Sequence, residues 1–157
     1  VYTELVRQEF AGNIDPDNMI ATASMYPLGI RRLDGSLVVR DPIATTASGS
    51  LICVGEFDSD CFVYLLTSDM QTLLESSRDA NRQASTDMKL PVGQRIVFDC
   101  ISRSLLMDDR FAEELAVLRQ DGTPMSGALS IGEIAGNSRG FLEFYNKTTA
   151  VAAFPGV

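Results

Sequence analysis

The last third of the chain places the tightest constraint on the fold, because two extended segments there flank a run of turn-forming residues. The segments are residues 127–135 and 141–148, and the run between them, 136–140, reads Gly-Asn-Ser-Arg-Gly. Strand-like segments around a short turn of this composition predict an antiparallel β-hairpin. We expect the rest of the chain to be organised around this hairpin.

Two polar side chains fall on apolar faces of the predicted hairpin. Side chains alternate between the two faces of a strand, so Glu133 is in phase with Leu129 and Ile131, and Asn146 is in phase with Phe144. Burying a carboxylate without a partner costs several kcal/mol. Two explanations stay open: either the strand ends form a polar pocket, or Glu133 is paired within the protein and Asn146 caps a turn.

Composition and charge exclude some classes of protein. The chain has 157 residues, of which 45% are hydrophobic, and this suits a single domain over residues 1–157 with a real core. The net charge of -8 opposes binding to phosphate backbones or anionic bilayers, so we expect neither nucleic acid nor membrane as a partner. No apolar run approaches the ~20 residues of a membrane span. Because the sequence begins with Val1, we expect a piece of a longer cytoplasmic polypeptide, although removal of a signal peptide would leave the same start.

The cysteines and the absence of histidine limit the available chemistry. Cys53, Cys61 and Cys100 have no C-x-x-C spacing and lie within or beside apolar runs, which favours buried free thiols. The sequence contains no histidine. This excludes Ser-His and Cys-His nucleophilic pairs, the usual zinc sites and a histidine-ligated haem from within this chain. We therefore predict no metal and no cofactor.

Three segments have the periodicity of helices, namely residues 2–10, 68–84 and 108–121. Ser68 and Gln71 predict a capping box at the start of the second segment. Asp108 or Asp109 is expected to cap the third. The predicted inner stripe of the third helix consists of Phe111, Ala112, Leu115 and Leu118.

Extended segments make up most of the remainder. Residues 19–32 fit an edge strand or a bulged strand, because Pro and Gly interrupt them. Residues 51–55 and 61–67 are expected to pair as a second hairpin. Residues 94–103 contain a continuous apolar run, which favours a central strand that ends at Arg103. Short turns between consecutive strands imply antiparallel pairing, so we predict an α+β fold with a mostly antiparallel sheet and two or three helices packed against it.

Arg103, Glu133 and Asn146 converge if the end of the 94–103 strand lies beside the hairpin. A guanidinium binds a carboxylate in bidentate fashion, a carboxylate binds an ammonium group, and an amide both donates and accepts. Such a set suits an α-amino acid or another small zwitterion. The residues leave a structural alternative open, which is a salt bridge between Arg103 and Glu133.

Five short motifs occur in an order that resembles the FIST family of intracellular signal-transduction sensors. Residues 132–135 (Gly-Glu-Ile-Ala) and 144–148 (Phe-Tyr-Asn-Lys-Thr) resemble the G-E-I-A and F-x-N-x-T signature that closes the C-terminal half of these proteins. Upstream, residues 100–103 (Cys-Ile-Ser-Arg) resemble the C-x-x-R strand end of the family. Residues 26–29 (Tyr-Pro-Leu-Gly) and 40–42 (Arg-Asp-Pro) resemble its early landmarks.

The resemblance implies a C-terminal FIST domain that senses a small ligand, with amino acids as one proposed class. It also implies an N-terminal FIST domain in cis and a signalling output domain or protein as partners. We predict no catalysis. Two other classes stay open: an enzyme that uses Glu133 as a base or Cys100 as a nucleophile, and an assembly module, which a large exposed apolar patch would indicate. The predicted ligand-binding residues are Cys100, Arg103, Glu133, Tyr145, Asn146 and Thr148.

Overall fold

The computed structural model describes residues 1–33, 35–58, 60–119, 122–136 and 142–156. The chain forms two compact units, Val1–Ser68 and Asp69–Val157. Both units combine helices with small sheets, and most strand pairs are antiparallel, so the predicted α+β class is confirmed. The expectation of a single domain stays a prediction. None of the described helices combines the length and the apolar character that crossing a membrane requires.

The first unit consists of short helices and two small antiparallel sheets. Strand β1 pairs with both β2 and β5, and β3 pairs with β4. Val6, Ile14, Met19 and Ala23 form its buried core. The elements are α1 (Tyr2–Phe10), α2 (Met19–Ala23), β1 (Leu28–Arg31), β2 (Leu37–Arg40), β3 (Pro42–Thr45), β4 (Leu51–Cys53) and β5 (Val63–Leu65).

Two predictions for the first unit are wrong, whereas the helix over residues 2–10 is confirmed. Part of the segment predicted as a strand, 19–32, forms α2, because Met19 and Ala23 are buried at helical spacing. β1 follows it and is the central strand of its sheet rather than an edge strand. The two strands expected to form the second hairpin exist, but β4 pairs with β3 and β5 pairs with β1.

The second unit contains a three-stranded sheet, a separate hairpin and three α-helices. β6 lies between β10 and β7, so its predicted central position is confirmed. β6 and β7 run parallel, and α4 and α5 form the crossover between them. Leu73, Leu74, Met107 and Val117 form the core. The elements are α3 (Met70–Gln83), β6 (Val92–Cys100), α4 (Ile101–Met107), α5 (Phe111–Leu118), β7 (Met125–Ser130), β8 (Glu133–Gly136), β9 (Leu142–Tyr145) and β10 (Thr149–Pro155).

Helix α3 forms where the sequence predicts a helix, but it has a different cap. The side chain of Asp69 accepts a hydrogen bond from the Thr72 backbone N–H at 2.8 Å, so Asp69 is the N-cap instead of Ser68 in a capping box. Leu73 and Ser77 are buried on the inner face of the helix. The helical period was therefore sufficient to orient α3.

Helix α5 differs from its predicted pattern. No side chain caps its start, because the two candidate aspartates lie in a short 3₁₀ helix, Asp108–Arg110. Its buried residues are Glu114, Val117 and Leu118, whereas Ala112 is exposed. The sequence pattern missed a buried carboxylate at the centre of this helix.

The region around the carboxyl end of β6 contains the largest correction. β6 ends at Cys100 and α4 begins at Ile101, so Arg103 lies on a helix and not at a strand end. The strand that follows the hairpin, β10, was not predicted. It pairs antiparallel with β6 along its length, starting with Thr149 opposite Asp99.

The segment predicted as one strand over 127–135 is two strands, because the chain bends between β7 and β8. β8 and β9 pair antiparallel as predicted, while residues 137–141 of the turn lie outside the described residues. Glycine is required at position 127, where a Cβ would meet backbone, whereas at Gly132 it would meet the end of a side chain. A Cβ at Gly127 would lie 1.8 Å from the Val97 carbonyl oxygen, and a Cβ at Gly132 would lie 2.2 Å from the Phe144 ring.

Candidate functional site

The carboxyl ends of the two parallel strands bring several of the predicted residues together. Cys100 ends β6 and lies opposite Ser130, which ends β7. The Thr148 carbonyl accepts a hydrogen bond from the Cys100 backbone N–H at 3.1 Å. Glu133 follows β7 directly after the bend. Carboxyl ends of parallel strands are the usual place for ligand sites in open α/β sheets, so this edge is the first candidate.

Glu133 is buried among these strand ends, with 1% of its surface exposed. Its Oε1 accepts a hydrogen bond from Ser130 Oγ at 2.8 Å, while Oε2 has no hydrogen bond of normal geometry within the described residues. Burial raises the pKa of the Glu133 carboxyl to about 7, although Ser130, the Thr148 backbone N–H and the Cys100 thiol each act to lower it. At neutral pH the side chain therefore populates both its protonated and its ionised form.

The Cys100 thiol is a poor nucleophile in this setting. Its Sγ lies 3.2 Å from Ser102 Oγ and is fully enclosed. Burial raises the pKa of the thiol, and only the thiolate is a strong nucleophile. Cys100 is a buried free thiol as predicted, but Cys53 and Cys61 are half-buried. Among the groups of the described residues that shift this pKa, none is a cation that would activate the thiol.

Arg103 is held by a buried network, with 2% of its surface exposed. Its Nε donates to Glu114 Oε1 at 3.0 Å, and its Nη2 also forms an ion pair with Glu114. Nε lies 3.4 Å from Asp99 Oδ1. Among the described residues no ion pair joins Arg103 to Glu133, so the salt-bridge alternative is wrong and Arg103 pairs with Glu114 instead. The other acceptors of the guanidinium are the carbonyls of Leu73 and Lys147 and the hydroxyls of Ser76 and Ser77.

This network contains two carboxylates for one guanidinium. Thr149 Oγ1 donates to Asp99 Oδ1 at 2.9 Å and also lies 3.3 Å from Glu114 Oε1. Burial, followed by the charge of Glu114, raises the pKa of Asp99 to about 6, although Arg103 and the Thr149 hydrogen bond act to lower it. The buried cluster therefore has an excess of negative charge when both carboxyls are ionised.

Asn146 and Tyr145 have structural contacts at the start of the last turn. Asn146 Nδ2 donates to the Tyr145 carbonyl at 3.2 Å and to the Ile131 carbonyl at 3.5 Å. Thr148 Oγ1 donates to the Asn146 carbonyl at 3.1 Å. The Tyr145 hydroxyl donates to Glu143 at 3.1 Å. These hydrogen bonds fit the alternative in which Asn146 caps a turn. The ligand-binding role of Tyr145, Asn146 and Thr148 stays a prediction.

A cavity of about 280 Å³ lies between α5 and strands β6 and β7, and we call it the α5 cavity. Its polar lining residues are Asp99 and the exposed Arg119 and Ser126. Asp99 connects the cavity to the buried network, because its carboxylate contacts both Arg103 and Thr149. The sequence analysis missed the cavity. The position of Asp99 was a usable signal, because this residue is in phase with a buried valine of a central strand. The apolar wall includes Val97, Phe111, Leu115, Met125 and Leu129.

The fold and the cavity define an α+β domain with a ligand-sized space at a parallel-strand edge. The FIST C domain family model matches residues 1–136, and the chain therefore belongs to this family. The FIST C domain is associated with signal-transduction sensing. The match includes Cys100, Arg103 and Glu133 and ends before the 144–148 motif. No curated protein and no solved structure matches the chain.

Proposed function

We propose that this chain is the ligand-binding domain of a FIST-type signalling sensor and that a small zwitterion, such as an amino acid, occupies the α5 cavity. The combination of groups in the cavity is the observation that supports this function. Asp99 and Arg119, which carry opposite charges, line the cavity together with Leu115 and other apolar side chains, a combination that suits the two charged ends and the aliphatic body of such a ligand. The volume of about 280 Å³ lies at the small end of ligand pockets, as expected for a metabolite of this size.

The position of Asp99 supports a sensory role. Asp99 lines the cavity, and its carboxylate contacts Arg103 on α4 and Thr149 on β10. Arg103 in turn pairs with Glu114 on α5 and contacts Ser77 on α3. A positive charge that arrives beside Asp99 changes the balance of this network, and ligand binding then favours one arrangement of these elements over another.

The sequence analysis predicted ligand-binding roles for Cys100, Glu133 and Thr148. These residues form a separate cluster beside the α5 cavity. Asp99 and Cys100 are adjacent in β6 and their side chains point to opposite faces of the strand. The charge of Asp99 nevertheless raises the pKa of Glu133 slightly. In our proposal Glu133 responds to the occupied cavity and does not contact the ligand.

The proposal includes no chemical step. Cys100 holds its proton, and the chain has no histidine that would activate it. An N-terminal FIST domain in cis, an output domain or protein, and a cytoplasmic location remain parts of the proposal that come from the family resemblance and the composition.

A thermal-shift screen of the chain against the amino acids tests this function. Saturation at about 100 times Kd adds about 2.7 kcal/mol of stability. The melting temperature of a chain of this size rises by roughly 2 to 4 °C for each kcal/mol, so the shift is large enough to measure. Leu115→Trp fills the cavity from the half-buried face of α5 and should abolish the shift. Glu113→Gln, on an exposed ion pair of the same helix, is the matched control and should leave the shift unchanged. Absence of any shift, or an equal shift in Leu115→Trp, would contradict the proposal.

An assembly role is the second candidate, and a specific patch favours it. Ile134 and Leu142 are 70% and 78% exposed on the same face of the β8–β9 hairpin, next to the half-buried Phe144. Sedimentation velocity on the chain and on a variant with Ile134→Ser and Leu142→Ser tests this role. A concentration-dependent dimer that the variant abolishes would support it, and a monomer at all concentrations would contradict it.

A further inference from the structure

Strand β5 lies at an open edge of a sheet in the first unit. The sheet has the order β2-β1-β5, so within the described residues β5 pairs with β1 alone. We propose that two copies of this chain pair at this edge, β5 against β5 in antiparallel orientation, with Tyr64 opposite Tyr64 at the two-fold axis. The two three-stranded sheets then become one continuous sheet. This pairing goes beyond the proposed function and needs no ligand in the α5 cavity.

The backbone of β5 presents hydrogen-bonding groups to this edge. In an antiparallel pair, hydrogen-bonded and non-hydrogen-bonded residue pairs alternate. The Leu66 N–H donates to the Pro27 carbonyl at 2.9 Å, so Leu66 and, two residues earlier, Tyr64 bond to β1. Val63 and Leu65 therefore direct their N–H and C=O groups away from β1, and no other described strand pairs with them. A strand edge in this state is a template for pairing with another chain.

The side chains of β5 are apolar and exposed on both of its faces. Three consecutive residues, Phe62, Val63 and Tyr64, are 88%, 44% and 42% exposed. The run 61–67 (Cys-Phe-Val-Tyr-Leu-Leu-Thr) contains no charged residue and no proline, which are the residues that usually protect an exposed edge. An uncharged run rich in aromatic and aliphatic residues pairs readily with a further strand. The sequence of β5 therefore favours contact with a partner at this edge.

The symmetry of the run identifies a second copy as the partner. The run extends equally far on both sides of Tyr64, with Asp60 before it and Ser68 after it. An antiparallel pair centred on Tyr64 therefore aligns all the uncharged residues with one another and places Asp60 opposite Ser68. Centring the pair on Val63 would instead place the Asp60 carboxylate opposite Leu66.

The apolar side chains of β5 have apolar partners in this register. On the inner face, where Leu65 packs against the core of the first unit, Val63 of one copy lies opposite Leu65 of the other. The two cores thereby continue across the axis. On the outer face the exposed Phe62 lies opposite Leu66, and the two Tyr64 rings are adjacent. Such cross-strand pairs are the contacts that stabilise a sheet.

The charge of the chain distinguishes a second copy from a basic partner protein. Each copy has a net charge of -8, so two copies repel each other in solution and join most readily at a surface without acidic groups. Salt screens this repulsion, and dimerisation should therefore strengthen as the ionic strength rises. A basic partner, attracted by the acidic chain, would bind more weakly at high salt.

Cysteine cross-linking tests the register. Opposite residues of a non-hydrogen-bonded antiparallel pair have Cα atoms about 4.5 Å apart, which lies within the range of a disulfide. Tyr64→Cys, in a chain in which Cys53 and Cys61 are replaced by serine, should therefore form a disulfide-linked dimer on mild oxidation. Phe62→Cys in the same background is the matched control: its equivalent in the second copy lies about 13 Å away along the strand, so we expect no cross-link. Equal cross-linking of the two variants, or none in either, would overturn the pairing centred on Tyr64.

Sedimentation velocity tests the dimer itself. We expect the unaltered chain to form a concentration-dependent dimer that high salt strengthens. Tyr64→Lys places two like charges opposite each other and should weaken the dimer at least ~10-fold. Ile52→Lys adds the same charge at a site of similar exposure, 44%, on the separate β3–β4 sheet, and should leave the dimer intact.

The variant with Ile134→Ser and Leu142→Ser separates this edge from the patch on the β8–β9 hairpin. It should dimerise as the unaltered chain does. A dimer that this variant abolishes and that Tyr64→Lys retains would overturn the β5 pairing. A chain that sediments as a monomer at every concentration, in low and in high salt, would overturn it as well.

Discussion

Glu133→Gln should stabilise the chain at alkaline pH and leave its stability nearly unchanged in mild acid. The pKa of Glu133 is about 7 in the folded chain against a model-compound value of 4.5, so the folded state holds the proton more tightly than the unfolded state. Stability therefore falls as pH rises from the lower to the higher of these values. A difference of about 2.5 pKa units at 1.36 kcal/mol each corresponds to about 3 kcal/mol at most.

Glutamine removes this cost because it is neutral at every pH and has the same shape. The Ser130 hydroxyl donates to Glu133 Oε1, but a hydroxyl also accepts, so the amide can present its N–H to Ser130 and its oxygen to the Thr148 N–H. The variant is expected to gain up to about 3 kcal/mol above about pH 8 and almost nothing near about pH 4. At roughly 2 to 4 °C per kcal/mol, the melting temperatures of the two proteins should diverge by several degrees as pH rises.

Urea unfolding of both proteins across this pH range measures the difference directly. Asp99, whose pKa is also raised, titrates in both proteins, so most of its contribution cancels in the comparison. Glu113→Gln is the matched control: Arg110 lowers the pKa of Glu113, so its replacement should give no stabilisation at alkaline pH. An equal stability difference between Glu133→Gln and the parent chain at both ends of the range would refute the buried-proton account.

Three further substitutions test the supports of the site. Arg103→Met removes the cation from a buried pair with Glu114 and should lower the free energy of unfolding by about 3 to 5 kcal/mol. Urea titrations measure this loss, and a loss below about 1 kcal/mol would contradict a stabilising role of the buried network. Gly127→Ala places a Cβ against the Val97 carbonyl and should lower the melting temperature and broaden the amide signals of β6 and β7; an unchanged spectrum would show that the strands do not approach so closely. Asp69→Ala removes the cap of α3 and should cost about 1 kcal/mol, with rescue by Asp69→Ser.

Local patterns in the sequence predicted those features whose determinants lie close together in the chain. The helical period oriented α3, and the apolar run of β6 indicated its central position. The β8–β9 hairpin followed from the turn composition. Glu133 and Asn146 are buried, but their phase does not explain it, because Leu129 and Ile131 are exposed and the chain bends before Glu133.

The features that were missed depend on contacts between distant residues. Glu114 is buried on α5 only because Arg103 and Ser77, from two other helices, supply its partners, and no local pattern indicates such a set. The pairing of β4 and β5 was wrong for the same reason, since either strand is compatible with several neighbours. The expected convergence of Arg103 with Glu133 failed because α4 begins directly after Cys100 and turns the guanidinium towards α3 and α5.

The position of a bound amino acid is the measurement that tests the central claim most directly. Chemical-shift mapping of the backbone amides during a leucine titration would locate it. We expect the shifts to cluster in residues 97–99, 111–119 and 125–129, which surround the α5 cavity. Shifts confined to residues 130–136 and 145–148 would contradict this account and place the ligand on Glu133 and Asn146 instead.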